Sequence, residues 1–360
     1  MNIFRKVIHS VVLTTNIGVV IGMIVCGNAH LVKPEHSSFT SFLSYGYLPF
    51  FAVNLFYLFY WGLRLRPWIF LSIAGILLTW TSMRAWIPVQ FTKENVPEET
   101  ITVLTYNVEY FQHNGEVSSE ELSPIVDYIQ KLDADVVCLQ EAGPAFVQNR
   151  KKDSKIRKAL KAYNYFVSGE QENRYSVVVL SKYRILDSHR IEYTSKSNSS
   201  FYYDLKIGKD TVRLINNHLE SNKLNPKEKD RYTELIRKHE SNEISAVAEV
   251  LGSKVGNATV IRTRQADSVS SVIQHSPYKV LLCGDFNDTP GSYTYRKIRT
   301  GLQDAWVSKG TGWGHTFHEH FFLFRIDYIL YSPAFKCLEV KRDKVDYSDH
   351  YPLWAKFRLL

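Results

Sequence analysis

Acidic residues are nearly missing from the first quarter of this chain. Between Met1 and Gln90 there is one, Glu35, against six basic residues: Arg5, Lys6, Lys33, Arg64, Arg66 and Arg84. The gap in charge coincides with three long apolar runs, Val7–Gly27, Phe42–Leu63 and Pro67–Ile87. Each reaches the roughly 20 residues needed to cross hydrocarbon. Three such runs with short polar links argue against a signal peptide followed by buried core helices. Cysteine is also scarce, with four in 360 residues: Cys26, Cys138, Cys283 and Cys337. No CxxC or Cys/His spacing is present, which excludes the common zinc frameworks. Nothing in the spacing asks for a disulfide, and Val25 before Cys26 is not the small residue of a lipoprotein cleavage site. Cys138 and Cys283 lie in apolar runs and read as small hydrophobes. There is no internal repeat and no low-complexity tract. A large basic excess is missing too. The formal net charge is +8, of which the first 90 residues carry +5. The remaining +3 gives no strong argument for a polyanionic partner.

The short loops set an expected orientation. Arg5 and Lys6 precede the first run, and Arg64 and Arg66 separate the second from the third. The positive-inside rule puts both of these segments in the cytosol and everything after about residue 90 outside it. Arg84 votes mildly against this, although a long side chain near a span's end can snorkel. Tyr45, Tyr47, Trp61, Trp68, Trp80 and Trp86 suit the interfacial belts.

The expected division is a membrane anchor over 1–90, a polar linker over 91–100 and a water-soluble domain over 101–360. Strands are expected at Ile101–Val108, Asp135–Leu139, Tyr175–Ser181, Ile185–Tyr193, Phe201–Ile207 and Thr211–His218. More follow at Val280–Cys283, Ile326–Tyr331, Phe335–Val340 and Leu353–Phe357. Helices are expected over Glu120–Leu132 and over the basic stretch Asn149–Tyr163. That stretch faces phosphates or lipid headgroups in one reading and is a solvated face in the commoner one. Lys227 to about His275 reads as helical, broken near Gly252–Asn257. Many strands with few helices suggest two sheets packed face to face with helices outside.

The chemistry gathers where strands end. Lys279-Val-Leu-Leu-Cys-Gly-Asp-Phe-Asn-Asp288 is a short apolar strand that delivers Asp285 and Asn287 at its mouth. A carboxylate and an amide two residues apart suit a hard cation or an oriented water. An ordinary Asp/Asn turn is the alternative. Other strand ends carry matching groups. Thr105-Tyr-Asn107-Val ends in an amide, and Val136-Val-Cys-Leu-Gln-Glu141 in a carboxylate. Asn216-Asn-His218 ends in an imidazole. Arg325-Ile-Asp327 buries a carboxylate in an apolar strand, and Ser348-Asp349-His350 joins acid to imidazole. Asp327 needs a partner because its flanks are apolar; the candidates are Arg325 and, first, His350. His189, His239 and His275 read as structural histidines.

These six segments, in this order, resemble the endonuclease/exonuclease/phosphatase superfamily, the DNase I-like metal-dependent phosphodiesterases, over Ile101–Leu360. With three amino-terminal spans, the chain is similar to membrane-anchored bacterial members. The resemblance implies an α+β fold, a two-layer β-sandwich flanked by helices and preceded by three transmembrane helices. It implies Glu141 as principal Mg²⁺ ligand, with Asn107 and Asp349 on the metal side and Mn²⁺ as a substitute ion. It implies Asp285 positioning or deprotonating the attacking water, Asn287 holding the phosphate or this water, and His218 donating to a phosphate oxygen. His350 becomes the catalytic histidine, oriented by Asp327. Arg174, standing where relatives usually show a small-residue turn, is a candidate phosphate contact. Thr311–Phe324, with His315, His318 and His320, is expected on the substrate side.

The expected function is hydrolysis of a phosphate-ester substrate, a phospholipid headgroup or another phosphodiester, outside the cytoplasm at a bacterial inner membrane. Extracytoplasmic nuclease action on DNA or RNA is the alternative, with nucleic acid less favoured as partner because the basic excess is small. A catalytically inactive binding module is the other. No obligate protein partner is inferred.

Overall fold

The computed structural model of the 360-residue chain describes residues 3–36, 39–90, 99–111, 123–151, 155–171, 174–195, 198–222, 241–319 and 323–360. Two helices, α1 (Ile3–Gly27) and α2 (Phe39–Leu63), are long and apolar enough to cross a membrane. The third expected span is not one straight helix. It splits into α3 (Ile69–Leu78) and α4 (Trp80–Trp86), bent by 72°. The break falls at Thr79, whose Oγ1 donates to the Gly75 carbonyl at 2.9 Å and accepts from Tyr47 OH at 3.2 Å. A hydroxyl that bonds back into the preceding turn favours such a bend. Asn16 and Asn54, the polar interruptions of the first two runs, pair inside the helical bundle. Trp61 Nε1 donates to Asn16 Oδ1 at 2.9 Å, and Asn54 Nδ2 to the Ser72 carbonyl at 3.1 Å.

The rest of the chain follows as β1 (Ile101–Asn107), α5 (Pro124–Leu132), β2 (Val136–Gln140), α6 (Gly143–Lys151) and α7 (Lys155–Ala159). Then come β3 (Tyr165–Gln171), β4 (Arg174–Ser181), β5 (Arg184–Arg190), β6 (Ser200–Ile207), β7 (Asp210–His218), α8 (Ser241–Gln274) and β8 (Lys279–Asp285). The last elements are α9 (Tyr293–Ile298), β9 (Gln303–Asp304), α10 (Ala305–Lys309), β10 (Asp327–Tyr331), β11 (Phe335–Arg342) and β12 (Leu353–Leu359).

The strands form two six-stranded sheets, in the orders β11-β12-β1-β2-β4-β3 and β5-β6-β7-β8-β10-β9. This is the expected α+β sandwich. Between the sheets pack Val103, Cys138 and Val179 from one side and Tyr203, Leu214, Leu281, Cys283 and Ile329 from the other. All four cysteines are free and buried. The outer face of the first sheet is covered by α5 to α7 and the turn after α7, through Ile125, Ile129, Phe146 and Leu160. The outer face of the second is covered by α8 and α9 through Ala266, Val269, Tyr295 and Ile298.

Three expectations are corrected. The basic stretch is two short helices, α6 and α7, with residues 152–154 outside the described part. β3 escaped the sequence reading because Gly169 interrupts its apolar pattern; in the fold, Gly169 lies against the Phe201 ring, where a larger side chain has no room. α8 is not broken at Gly252. A helical glycine costs only about 1 kcal/mol, and α8 buries Val255, Ala258, Ala266 and Val269.

The helical bundle and the sandwich are packed together. Ala85 of α4 belongs to the same buried cluster as Ile215, Leu282 and Tyr328. Arg325 Nη2 donates to the Ala85 carbonyl at 2.7 Å, and the Gly312 N–H to the Pro88 carbonyl at 2.8 Å. Glu35, the lone early acid, meets Arg264 at 2.7 Å, and Lys33 meets Asp267 at 2.9 Å. The expected boundary at residue 90 therefore lies beside a packed seam.

Candidate active site

β1 and β2 run parallel in one sheet, and β7 and β8 run parallel in the other. Their carboxyl ends meet at one edge of the sandwich. Register aligns Asn107 with Gln140, His218 with Asp285, and Asp285 with Asp327. Neighbouring strands are about 4.8 Å apart, so the last three side chains form a row. Gly284 lies within β8, with φ 134°, and a Cβ there would collide with the Asn217 carbonyl. Only glycine lets the two parallel strands close up beneath the site. Glu141 and Asn287, just past their strands, have φ of 54° and 52°. Left-handed backbone at non-glycine residues is uncommon and clusters at functional sites.

Asp285 is the hub. Its Oδ2 accepts from Asn107 Nδ2 at 3.1 Å and Asn287 Nδ2 at 3.2 Å, and its Oδ1 accepts from the Asn287 N–H at 2.7 Å. Burial, and then the charge of Asp327, push its carboxyl up to about 6, against the pull of His350 and His218. The second amide hydrogen of Asn287 goes to the Leu219 carbonyl at 3.0 Å. Both of its N–H groups are thus spent on holding Asp285 and the loop.

His218 Nε2 lies 3.4 Å from Glu141 Oε1 and 4.0 Å from Asp285 Oδ2. Burial alone would raise the Glu141 carboxyl, but the hydrogen bond and charge of His218, with Asn107, hold it at about 2. Burial would lower the His218 imidazole, yet Glu141 and Asp285 lift it above its ordinary value. On the other flank, His350 Nδ1 meets Asp327 Oδ2 at 2.8 Å, leaving Nε2 at 3.9 Å from both Asp285 and Asp349. Burial opposes the charged imidazole; Asp327 and Asp349 overcome it and raise His350 well above its usual range. Of the two candidate partners of Asp327, His350 is the one it meets; Arg325 pairs instead with Asp304 at 2.7 Å.

Asp349 is half-buried beside this row, with Ser348 Oγ donating to its Oδ1 at 3.4 Å and to the Asn107 carbonyl at 2.8 Å. Arg174 opens β4, and its side chain lies outside the described part, as does His320. Within Thr311–Phe324, Phe317 packs edge-on against the His350 ring at 5.2 Å. His315 and His318 flank Tyr351, at 5.8 and 3.8 Å between rings.

Several residues that shape the site escaped the sequence reading. Gln140 Nε2 donates to Asn216 Oδ1 at 2.7 Å, and Asn216 Nδ2 donates to the carbonyls of Leu139 and Val178 at 3.2 and 3.1 Å. This buried amide pair ties the two sheets together directly under Glu141 and His218. Asn198 Nδ2 stands 3.0 Å from His218 Nε2. Glu109 is pushed up to about 7 by burial and by Asp349, Glu141 and Glu319. Such crowding of carboxylates in a half-buried place is what a divalent cation relieves. The only signal for Glu109 was its place two residues after Asn107.

The profile of the Endonuclease/Exonuclease/phosphatase family matches residues 104–350, more than half of the chain. The chain belongs to that family. It is accordingly an enzyme of the phosphoesterase class, in a family typically dependent on divalent metals. A second profile, a domain of unknown function (DUF8431), matches residues 9–86. No curated protein matches the chain. Among solved structures, D. rerio TDP2 complexed with a single-strand DNA product is 18% identical with a TM-score of 0.52, over 72% of this chain and 100% of that one. An endonuclease/exonuclease/phosphatase from Beutenbergia cavernae DSM 12333 is 17% identical with a TM-score of 0.50, over 72% of each chain. The human Nocturnin catalytic domain with bound sulfate is 16% identical with a TM-score of 0.50, over 72% of this chain and 95% of that one. At these identities the likeness shows the shared fold.

Among the described residues one group of candidate metal ligands stands together. Asp285, Asp327 and His350 bring one ligand atom each within 4.8 Å of one another. In that trio, however, His350 Nδ1 and Asp327 Oδ2 are already bonded to each other. Beside it, Asn107 Nδ2 donates to Glu141 Oε1 at 3.2 Å and Asn107 Oδ1 accepts from the Glu109 N–H at 3.2 Å.

Proposed function

We propose that this protein is a membrane-anchored, Mg²⁺-dependent phosphodiester hydrolase whose catalytic domain faces away from the cytosol. The observation that carries the reading is the row His218–Asp285–Asp327 in register, with His350 bonded to Asp327 at 2.8 Å. Two apolar helices, α1 and α2, support the anchor; the orientation rests on the basic segments Arg5–Lys6 and Arg64–Arg66 together with the bent pair α3–α4 taken as a third crossing.

In this reading Asp285 takes the proton of the attacking water. A carboxyl at about 6 is largely ionised at neutral pH yet basic enough to accept a proton, which is the useful range for a general base. Asn107 and Asn287 fix its orientation. His218, charged through Glu141, donates to a phosphoryl oxygen as negative charge builds. Asp327 holds Nδ1 of His350, so Nε2 faces the reacting centre as a proton donor. Glu141, Asn107 and Asp349 would hold Mg²⁺, an oxygen-only set of the kind that ion prefers. When bound, the ion supplies charge neutralisation and Lewis-acid polarisation at phosphorus. A phospholipid headgroup is the favoured substrate, and Arg174 is retained as a candidate phosphate contact.

The test uses the full-length protein in detergent. Sphingomyelin, a phosphoinositide, plasmid DNA, RNA and an aryl phosphodiester are each assayed with Mg²⁺, with EDTA and with His350→Ala. We expect metal-dependent release that falls roughly 10²–10⁴-fold in the variant. Activity that survives both EDTA and the substitution would sink the site assignment. Preference for DNA or RNA would move the substrate to the nuclease branch. No turnover by well-folded wild type would favour a binding module.

A further inference from the structure

A cavity lies at the seam between the helical bundle and the sandwich. It measures about 540 Å³ and opens to the surface. One wall is α4, with Trp80, Thr81 and Arg84; the other is α9 and the segment after it, with Arg296, Arg299, Thr300 and Gln303. Three arginines therefore line one cavity, and among the described residues no carboxylate lines it.

Their hydrogen-bonding groups are only partly used among the described residues. Arg296 Nη2 donates to Ser82 Oγ at 3.1 Å, while its Nε is buried with no hydrogen-bond partner among the described residues. Arg299 leans on the Tyr295 ring at 5.6 Å. Arg84 is exposed. The buried acid Asp304 pairs with Arg325 at 2.7 Å and also feels the charge of Arg299. Burial, and then the charges of Arg299 and Arg325, hold the Arg296 guanidinium below its ordinary value. Guanidinium groups lining one cavity, with one buried Nε unpartnered among the described residues, match one ligand chemistry, a phosphate accepting several N–H bonds at once. Thr81, Thr300, Gln303 and Ser308 add neutral hydrogen-bonding groups to the lining.

The cavity's position decides between sources of that phosphate. Arg84 and Trp80 stand on α4, which follows the apolar α3, and Trp80 is 49% exposed. Tryptophan and arginine at the end of an apolar helix mark headgroup level. We propose that this cavity binds the phosphate of an anionic phospholipid headgroup, at a site separate from the reaction centre. The inference rests on the membrane reading of α1 and α2 and is independent of which substrate the enzyme hydrolyses. A bound lipid bridges α4 and α9 and so pins the catalytic domain against the bilayer surface.

The experiment uses full-length protein in a neutral detergent, titrated with short-chain phosphatidylglycerol, short-chain phosphatidylcholine or inorganic phosphate. Thermal melting is the readout. Four proteins are compared: wild type, Arg84→Gln, Arg84→Gln/Arg299→Gln, and His350→Ala. Phosphatidylglycerol should raise the melting temperature of wild type and His350→Ala alike. The double variant should need roughly tenfold or more lipid for the same shift, the weight of lost charge-assisted hydrogen bonds. The exposed single variant gives the same direction should the double variant fold poorly. Phosphatidylcholine and inorganic phosphate should act weakly. The proposal is overturned if the arginine variants keep the full response, if phosphate alone matches the lipid, or if no anionic ligand shifts wild type. Loss of the response in His350→Ala alone would assign the lipid to the reaction centre instead. A metal-dependent aryl phosphodiesterase assay on the same samples reports separately on the catalytic reading.

Discussion

Two buried ion pairs stand two residues apart at the entry to β10, and they do different work. Arg325 meets Asp304 at 2.7 Å, and His350 meets Asp327 at 2.8 Å. Both carboxylates are 1% exposed. The difference lies in what remains around each acid. Asp304 is saturated: Oδ2 accepts from Arg325 and Tyr295 OH, and Oδ1 from the N–H groups of Trp306 and Val307. Asp327 keeps one oxygen, Oδ1, with no hydrogen-bond partner among the described residues. The bases differ too. A guanidinium does not release its proton, whereas an imidazole does. A saturated pair around a permanent cation is a fastener. An unsaturated pair around a titratable base is a device that can move a proton.

Asp327→Asn tests the second half of that contrast and carries the largest expected effect. The amide keeps the shape but no longer supports a charged His350. Turnover should fall by about 10²–10⁴-fold, while thermal melting stays near wild type. A fall in stability with turnover intact would reverse the comparison.

Asp304→Asn should do the opposite. It leaves Arg325 as a buried charge without a counter-ion, which costs about 3–5 kcal/mol. Chemical or thermal unfolding in detergent measures this; an unchanged transition would show that the pair is not a fastener.

The smallest effect is in pH. Burial would raise the Asp304 carboxyl, but Arg325, with Arg299, brings it below its ordinary 3.8. A depressed folded pKa means the stabilisation is complete above the unfolded value and fades as pH falls through the folded one. Wild-type stability should therefore decline from this cause only below about pH 4, and Asp304→Asn should flatten that limb. A decline of equal slope in both proteins would assign the acid lability elsewhere.

The contrast also explains what was legible in the sequence. Asn107, Glu141, His218, Asp285 and Asp327 stand at the ends of apolar strands, so local pattern exposes them. Their convergence follows from two parallel pairs that end at one edge. Gln140 and Asn216 were hidden because their meaning is a contact between chain segments 76 residues apart. Arg325 and Ala85 are 240 residues apart, and nothing local predicts that pairing. Glu109 acquires its character from Asp349 and Glu319, both distant in sequence. The third span failed as a straight helix because composition reports apolarity but not the hydroxyl of Thr79 bonding into the turn before it. Arg174 carries the candidate role it began with, its side chain being outside the described part.

Ala85 offers its carbonyl to Arg325 and its methyl group to the core that surrounds β8 and β10. The tether is thus one of the enzyme's own walls. A protease that cut the chain just after Gln90 would sever the covalent link and still leave α4 lodged in the sandwich. For this protein, shedding a free catalytic domain would require unpacking a hydrophobic core as well as breaking a peptide bond.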